Sequence, residues 1–312
     1  MTAAPNARSV AVSTVGEPRS RNVRPVSIDG ALGFDGVSGP VGMFDSGFGG
    51  LTVARAVIDL LPGEDLVYIG DTGRYPYGDK PLSEVREYAR EIAWSLVDDF
   101  GAKAVVVACN TAAAALPVHE LEAEFAAAGR SVSVIGVIDP GAEALVRATR
   151  KGSVGVIGTI GTINSGSYER AVARASFGAS VDLVSAACPG FVEFVERGRT
   201  SGEEITVLAE RLLAPVREAK VDALLLGCTH YPFLARVISE VLGDDVILVS
   251  SADETAFALR DLLQTSGRAK KDENSPGTAR FLSSGDVAWF ETLGRQLLGP
   301  ELVGAERWRT RS

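Results

Sequence analysis

Two stretches of this chain are built alike. VVVACNTAAA (105–114) and LLLGCTHYP (224–232) each carry an aliphatic run through a small residue into a cysteine, then into polar residues. A short apolar run bounded by a turn reads as a strand buried on both faces, the kind used in parallel sheets. The alanines after Cys109 favour a helix, and Pro232 suits the first turn of one. Each cysteine therefore stands at the carboxyl end of a strand, just before a helix N-terminus. There the unpaired N–H groups and the helix dipole favour a thiolate over a thiol. Cys109 and Cys228 lie 119 residues apart, and Ala104 and Ala223 open the two strands in register.

The repeat extends beyond the cysteines. Strand-like runs at 41–44, 66–70, 104–108 and 132–138 are followed by a second set at 153–159, 181–187, 223–227 and 246–250. Between the second and third runs, Val85, Tyr88, Ala89, Ile92 and Leu96 recur at helical spacing, with Ser83 as the expected N-cap. Strands separated by helices mean βαβ units and parallel sheets. The chain is thus expected to be an α/β protein of two similar parallel-sheet domains, an internal duplication with the active site in the cleft between them. A last run, 279–284, follows the polar stretch 266–277 and is expected to return to the first domain. The expected division is a flexible N-terminal extension at 1–39, a first domain at 40–137 plus 251–312, and a second at 138–250.

Composition removes several classes of function. A net charge of −9 argues against nucleic acid as the main ligand. The longest apolar stretches are strand-sized, so no membrane association is expected. Three cysteines with no CxxC pair give no disulfide framework and point to a reducing compartment. The first thirty residues contain no continuous apolar segment of the kind a signal peptide needs.

The remaining chemistry sits at strand ends. GMFDSGFGGLTVAR (42–55) places Asp45 and Ser46 after the first strand, followed by glycines whose N–H groups can approach an anion. It lacks both GxxxxGK[ST] and a full GxGxxG, so it suits a carboxylate ligand as well as a phosphate; a plain glycine turn with Asp45 as a cap is the bland alternative. YIGDTGRYPYGDK (68–80) ends the second strand with a stiff loop bearing Tyr75 and Tyr77. His119, in a glutamate-rich helical stretch, reads as a solvated surface residue, and Cys188, in ACPG, as a structural one. Cys109, Cys188, Cys228 and His230 lack the spacings of a structural zinc site, so no metal is expected.

A free cysteine is usually a small buried hydrophobe. Two at matched positions of a duplication suggest more. Inverting a carbon that carries a proton needs a base on one face and an acid on the other, and a thiol can serve as either. Asp45 and His230 are the neighbours that could take up or supply the protons.

GMFDSGFGGLTVAR, IGDTGRYPYG, ACNTAAA, ACPGFVEFVERG and GCTHYPFL, in that order, resemble the glutamate racemases of the cofactor-independent aspartate/glutamate racemase family; the likeness covers about residues 40–285. It implies a cytoplasmic enzyme that interconverts L- and D-glutamate without a cofactor and supplies D-glutamate for peptidoglycan. A homodimer is the expected assembly. Carried over by motif, Cys109 and Cys228 are the acid/base thiols, assisted by Asp45, His230 and Glu196. The resemblance puts substrate contacts on Ser46, Tyr77, Gly78, Asn110, Thr111 and Thr229. Glu193 stands where family members often have proline, and spacing from Cys188 selects Glu196 over it. An aspartate or other two-cysteine racemase, or a non-enzymatic metal- or partner-binding protein, are the alternatives; relatives acting on aspartate usually carry glutamate at the position of His230.

Overall fold

The computed structural model describes residues 38–178, 180–270 and 275–310. Most of the extension read at 1–39, and positions 271–274 of the polar stretch, lie outside them. The aliphatic runs form strands β1 (Val41–Asp45), β2 (Leu66–Gly70), β3 (Ala104–Val107) and β4 (Ser133–Gly136). They continue as β5 (Ser153–Gly158), β6 (Asp182–Ala187), β7 (Ala223–Gly227), β8 (Ile247–Ser250), β9 (Ala279–Ser283) and β10 (Ala305–Arg307). They pair into two sheets, ordered β10-β9-β2-β1-β3-β4 and β6-β5-β7-β8. Every neighbouring pair is parallel. The protein is α/β with two parallel sheets.

The duplication holds down to single hydrogen bonds. Without β9 and β10, both sheets read second, first, third, fourth strand of their set. Val41 lies opposite Leu66 and Ala104, and Val154 lies opposite Leu183 and Ala223. One residue past the last pairs, Asp45 opposite Gly70 and Gly158 opposite Ala187, the Asp71 N–H donates to Asp45 O at 3.0 Å and the Cys188 N–H to Gly158 O at 2.9 Å. Cys188 therefore stands in the second sheet where Asp71 stands in the first. Both central strands, β1 and β5, flank a topological switch point, where the crevice for a ligand opens.

Burial on both faces explains why β1, β2, β3, β5 and β7 read as continuous apolar runs. Along β7, Leu224 and Leu226 join a core peculiar to the second sheet, while Leu225 between them joins the large core of the first. The helix Ile138–Ala148 packs on β7 and β8 and on the helix Ser251–Thr265, which in turn packs on Leu51–Leu60 and β4. One apolar layer thus continues from one sheet to the other.

Two local readings change. The helix expected to be capped by Ser83 is Leu82–Asp98, preceded by Pro81 with no side-chain cap. Proline's fixed φ, here −55°, leads into the first turn without one. The run at 132–138 yields only four strand residues because Ile138 begins the next helix. The edge strand β10 has no apolar alternation to announce it. Among the described residues, no helix is long and apolar enough to cross a membrane.

Candidate active site

The carboxyl ends of the two central strand sets face one cavity, lined from both sheets. Its walls include Ser46, Tyr77, Gly78, Cys109, Asn110 and Thr111 from the first, and Cys228, Thr229 and His230 from the second. Nine of the eleven residues proposed from sequence therefore meet here. The other two stand behind the wall: Asp45 under the glycine loop and Glu196 behind His230.

On the first side, β1 ends in Asp45 and the chain turns sharply through Gly47, Gly49 and Gly50 into a helix. Asp45 Oδ2 accepts from the Gly47 N–H at 3.2 Å and the Gly50 N–H at 3.0 Å, holding the turn, while Oδ1 is buried without a partner among the described residues. Cys109 is the N-cap of the helix Asn110–Ala115: its sulfur accepts from the Ala112 N–H at 3.5 Å, and its thiol reaches Ser46 Oγ at 3.7 Å. These contacts favour a thiolate, as expected at a helix N-terminus. Burial and then the Asp45 charge outweigh them and push the Cys109 thiol up to about 12.

On the second side, Cys228 follows β7 and Tyr231–Leu234 forms a short 3₁₀ turn with Pro232 in its opening. Burial raises the Cys228 pKa well above the ordinary thiol value, against backbone N–H groups of His230 and Tyr231 that favour the thiolate. Burial therefore holds both cysteines toward the thiol form, which reverses the expectation from strand-end position. The cost of desolvating a charge exceeds what one helix turn supplies. The Cys228 sulfur lies 3.9 Å from His230 Nδ1. On the far side of the ring, His230 Nε2 is 3.4 Å from Glu196 Oε1, within ion-pair reach but outside hydrogen-bond geometry. Phe48 packs edge-on against the ring at 5.0 Å between centroids, fixing its plane.

The family model for Asp/Glu/hydantoin racemases matches residues 55–258. The glutamate racemase of Parafrankia sp. is 51% identical over 264 residues, 85% of this chain and 92% of that protein. The chain belongs to the Asp/Glu/hydantoin racemase family. Among solved structures, a glutamate racemase isoform from Bacillus anthracis superposes with a TM-score of 0.77 at 38% identity, covering 88% of this chain and 97% of that one. The glutamate racemase of Francisella tularensis, solved in complex with D-glutamate, also reaches 0.77, at 31% identity over 87% of this chain and 97% of its own.

In this racemase the sheets meet where Thr111 and Gly78 of the first contact Thr159, Gly161 and Thr162 of the second, three residues given no role from sequence. Thr111 Oγ1 lies 3.0 Å from Thr159 Oγ1 and 3.2 Å from Thr162 Oγ1, and Thr159 and Thr162 are 2.9 Å apart. The Gly161 N–H donates to Gly78 O at 3.1 Å. Tyr77, expected at the substrate, has its hydroxyl committed to Asp71. Cys188, read as structural, lines the cavity, as do Tyr75 and Glu193. The equivalence of Cys188 to Asp71 was the available signal, but it emerges only when strand registers are known. His119 is exposed, as expected. Among the described residues, no three His, Cys, Asp or Glu side chains are grouped as metal ligands would be.

Proposed function

We propose that this protein interconverts L- and D-glutamate by proton transfer between two cysteines at the α-carbon, supplying D-glutamate for peptidoglycan in the cytoplasm. One observation carries the reading: matched thiols from two copies of one structural unit line a single cavity. The names of the relatives, and the D-glutamate in the Francisella structure, support the choice of substrate.

Starting from L-glutamate, Cys228 as thiolate takes the α-proton while the Cys109 thiol delivers its own to the opposite face. D-glutamate leaves Cys228 as the thiol and Cys109 as the thiolate, and the reverse reaction restores the first state. Because both groups rest protonated, one thiol must first lose its proton. The Cys228 proton passes to His230 Nδ1, whose developing charge Glu196 offsets through Nε2. At the other wall Asp45 takes that part for Cys109. The substrate ammonium favours the thiolate by bringing positive charge against buried sulfur. Ser46, Asn110, Thr111 and Thr229 offer hydroxyl and amide donors to the carboxylates, and Tyr77 and Gly78 line the same cavity.

Racemisation of L-glutamate, L-aspartate and a hydantoin by the wild type, followed by optical rotation, tests the substrate; turnover of aspartate or hydantoin in place of glutamate would sink it. Cys109→Ala and Cys228→Ala should each abolish inversion. In heavy water Cys228→Ala should exchange the α-proton of D-glutamate through Cys109 and leave L-glutamate untouched, and Cys109→Ala should do the opposite. Equal exchange of both enantiomers by one variant would mean a single base serves both faces.

A further inference from the structure

Tyr168, in the helix Ser167–Ala175, is buried, and its aromatic ring covers Gly227, the residue before Cys228. A Cβ on Gly227 would come within 2.9 Å of Tyr168 Cε2, so the ring rests on bare backbone. Its hydroxyl crosses to the other side of the cleft and donates to Asn110 Oδ1 at 2.5 Å. Asn110 directly follows Cys109. One side chain therefore touches the neighbour of each thiol.

That contact decides which way the Asn110 amide faces. The phenol makes no other hydrogen bond among the described residues, so it can donate its proton only to the amide oxygen. Turning the amide round would leave the buried O–H without an acceptor. Burial, the largest cause, pushes the Tyr168 pKa up, so the hydroxyl stays a donor throughout the working pH range. The Asn110 Nδ2 is consequently left over: buried, without a partner among the described residues, on a residue that lines the cavity.

We infer that Tyr168 is a positioning residue, a strut between the two cysteine loops that holds Asn110 with its amide donor free for an anionic group of the substrate. The inference rests on the racemase reading above and adds a residue to it. Tyr168 touches no substrate; it acts through Asn110 at one end and through the Gly227 backbone at the other.

A double-mutant cycle of Tyr168→Phe and Asn110→Ala, read as KM and kcat with both glutamate enantiomers, tests it. Phenylalanine keeps the ring on Gly227 and removes only the hydroxyl. Tyr168→Phe should raise KM about tenfold for both enantiomers while kcat stays nearly unchanged, the mark of binding lost equally from ground and transition states. In the Asn110→Ala background the same change should add nothing to KM. Tyr168→Leu, which also removes the ring, should lower kcat as well, because the backbone before Cys228 loses its support. Effects on KM that multiply across the cycle would overturn the inference, as would a Tyr168→Phe protein with a lower Tm and unaltered KM. The substrate reading fails separately, in the wild-type assay; a wild type that turns over aspartate instead is carried through the same cycle with aspartate.

Discussion

At the scale of single residues, the governing fact is that burial beats the helix terminus at both cysteines. The Cys109 thiol sits at about 12, and that of Cys228 is also raised. In an unfolded chain a cysteine titrates near ~8.5. Below that value both states hold the proton and the stabilisation is complete. As pH rises towards 12 the unfolded chain releases its proton while the folded one keeps it, so stability falls across this window. The limiting slope is about 1.4 kcal/mol per pH unit for each thiol. Urea midpoints measured from pH 8 to 11 should therefore decline, and Cys109→Ala should decline less steeply than the wild type. An unchanged slope would mean the thiol is not held in its protonated form. Alkylation of Cys109 by iodoacetamide, followed by mass spectrometry without substrate, should keep accelerating past pH 9 rather than level off there.

At the scale of elements, closure of the cleft depends on glycines where loops from the two sheets meet. A Cβ on Gly49 would lie 2.5 Å from Thr229 Oγ1 and 2.6 Å from the His230 ring, and one on Gly78 would lie 2.9 Å from Thr159 Cβ. Neither position has a left-handed backbone, so close approach alone excludes a side chain. Gly49→Ala and Gly78→Ala should each cost about 100-fold in kcat/KM, the usual price of displacing reacting groups by an ångström. Far-ultraviolet circular dichroism should remain that of the wild type; full activity in either variant would show that the loops have slack. The elements themselves were legible because their periods are clean: continuous aliphatic runs for strands, and Val85 to Leu96 at helical spacing. Ser83 misled because a serine near a helix start is a good cap in general, and only the observed boundary shows that Pro81 precedes the helix.

At the scale of the whole molecule, a cavity lined from both sheets couples ligand binding to the stability of their junction. Glutamate at a hundredfold excess over its Kd should add about 2.7 kcal/mol of stability. Scanning fluorimetry should show the Tm climbing with the logarithm of glutamate concentration, with a smaller climb for aspartate; a flat response to glutamate would count against a site shared between the sheets. Sequence alone determined the α/β class, the duplication and the two matched cysteines, because repeated strand–helix units carry their own hydrophobic signature whatever surrounds them. Strand order and register, the place of Cys188 opposite Asp71, and the threonine hydroxyls joining the sheets came only from tertiary structure. So did the protonation of the thiols and the reach of Tyr168 from Gly227 to Asn110. Each depends on which distant segments pack together and on how much water that packing removes, and neither quantity is written in local sequence.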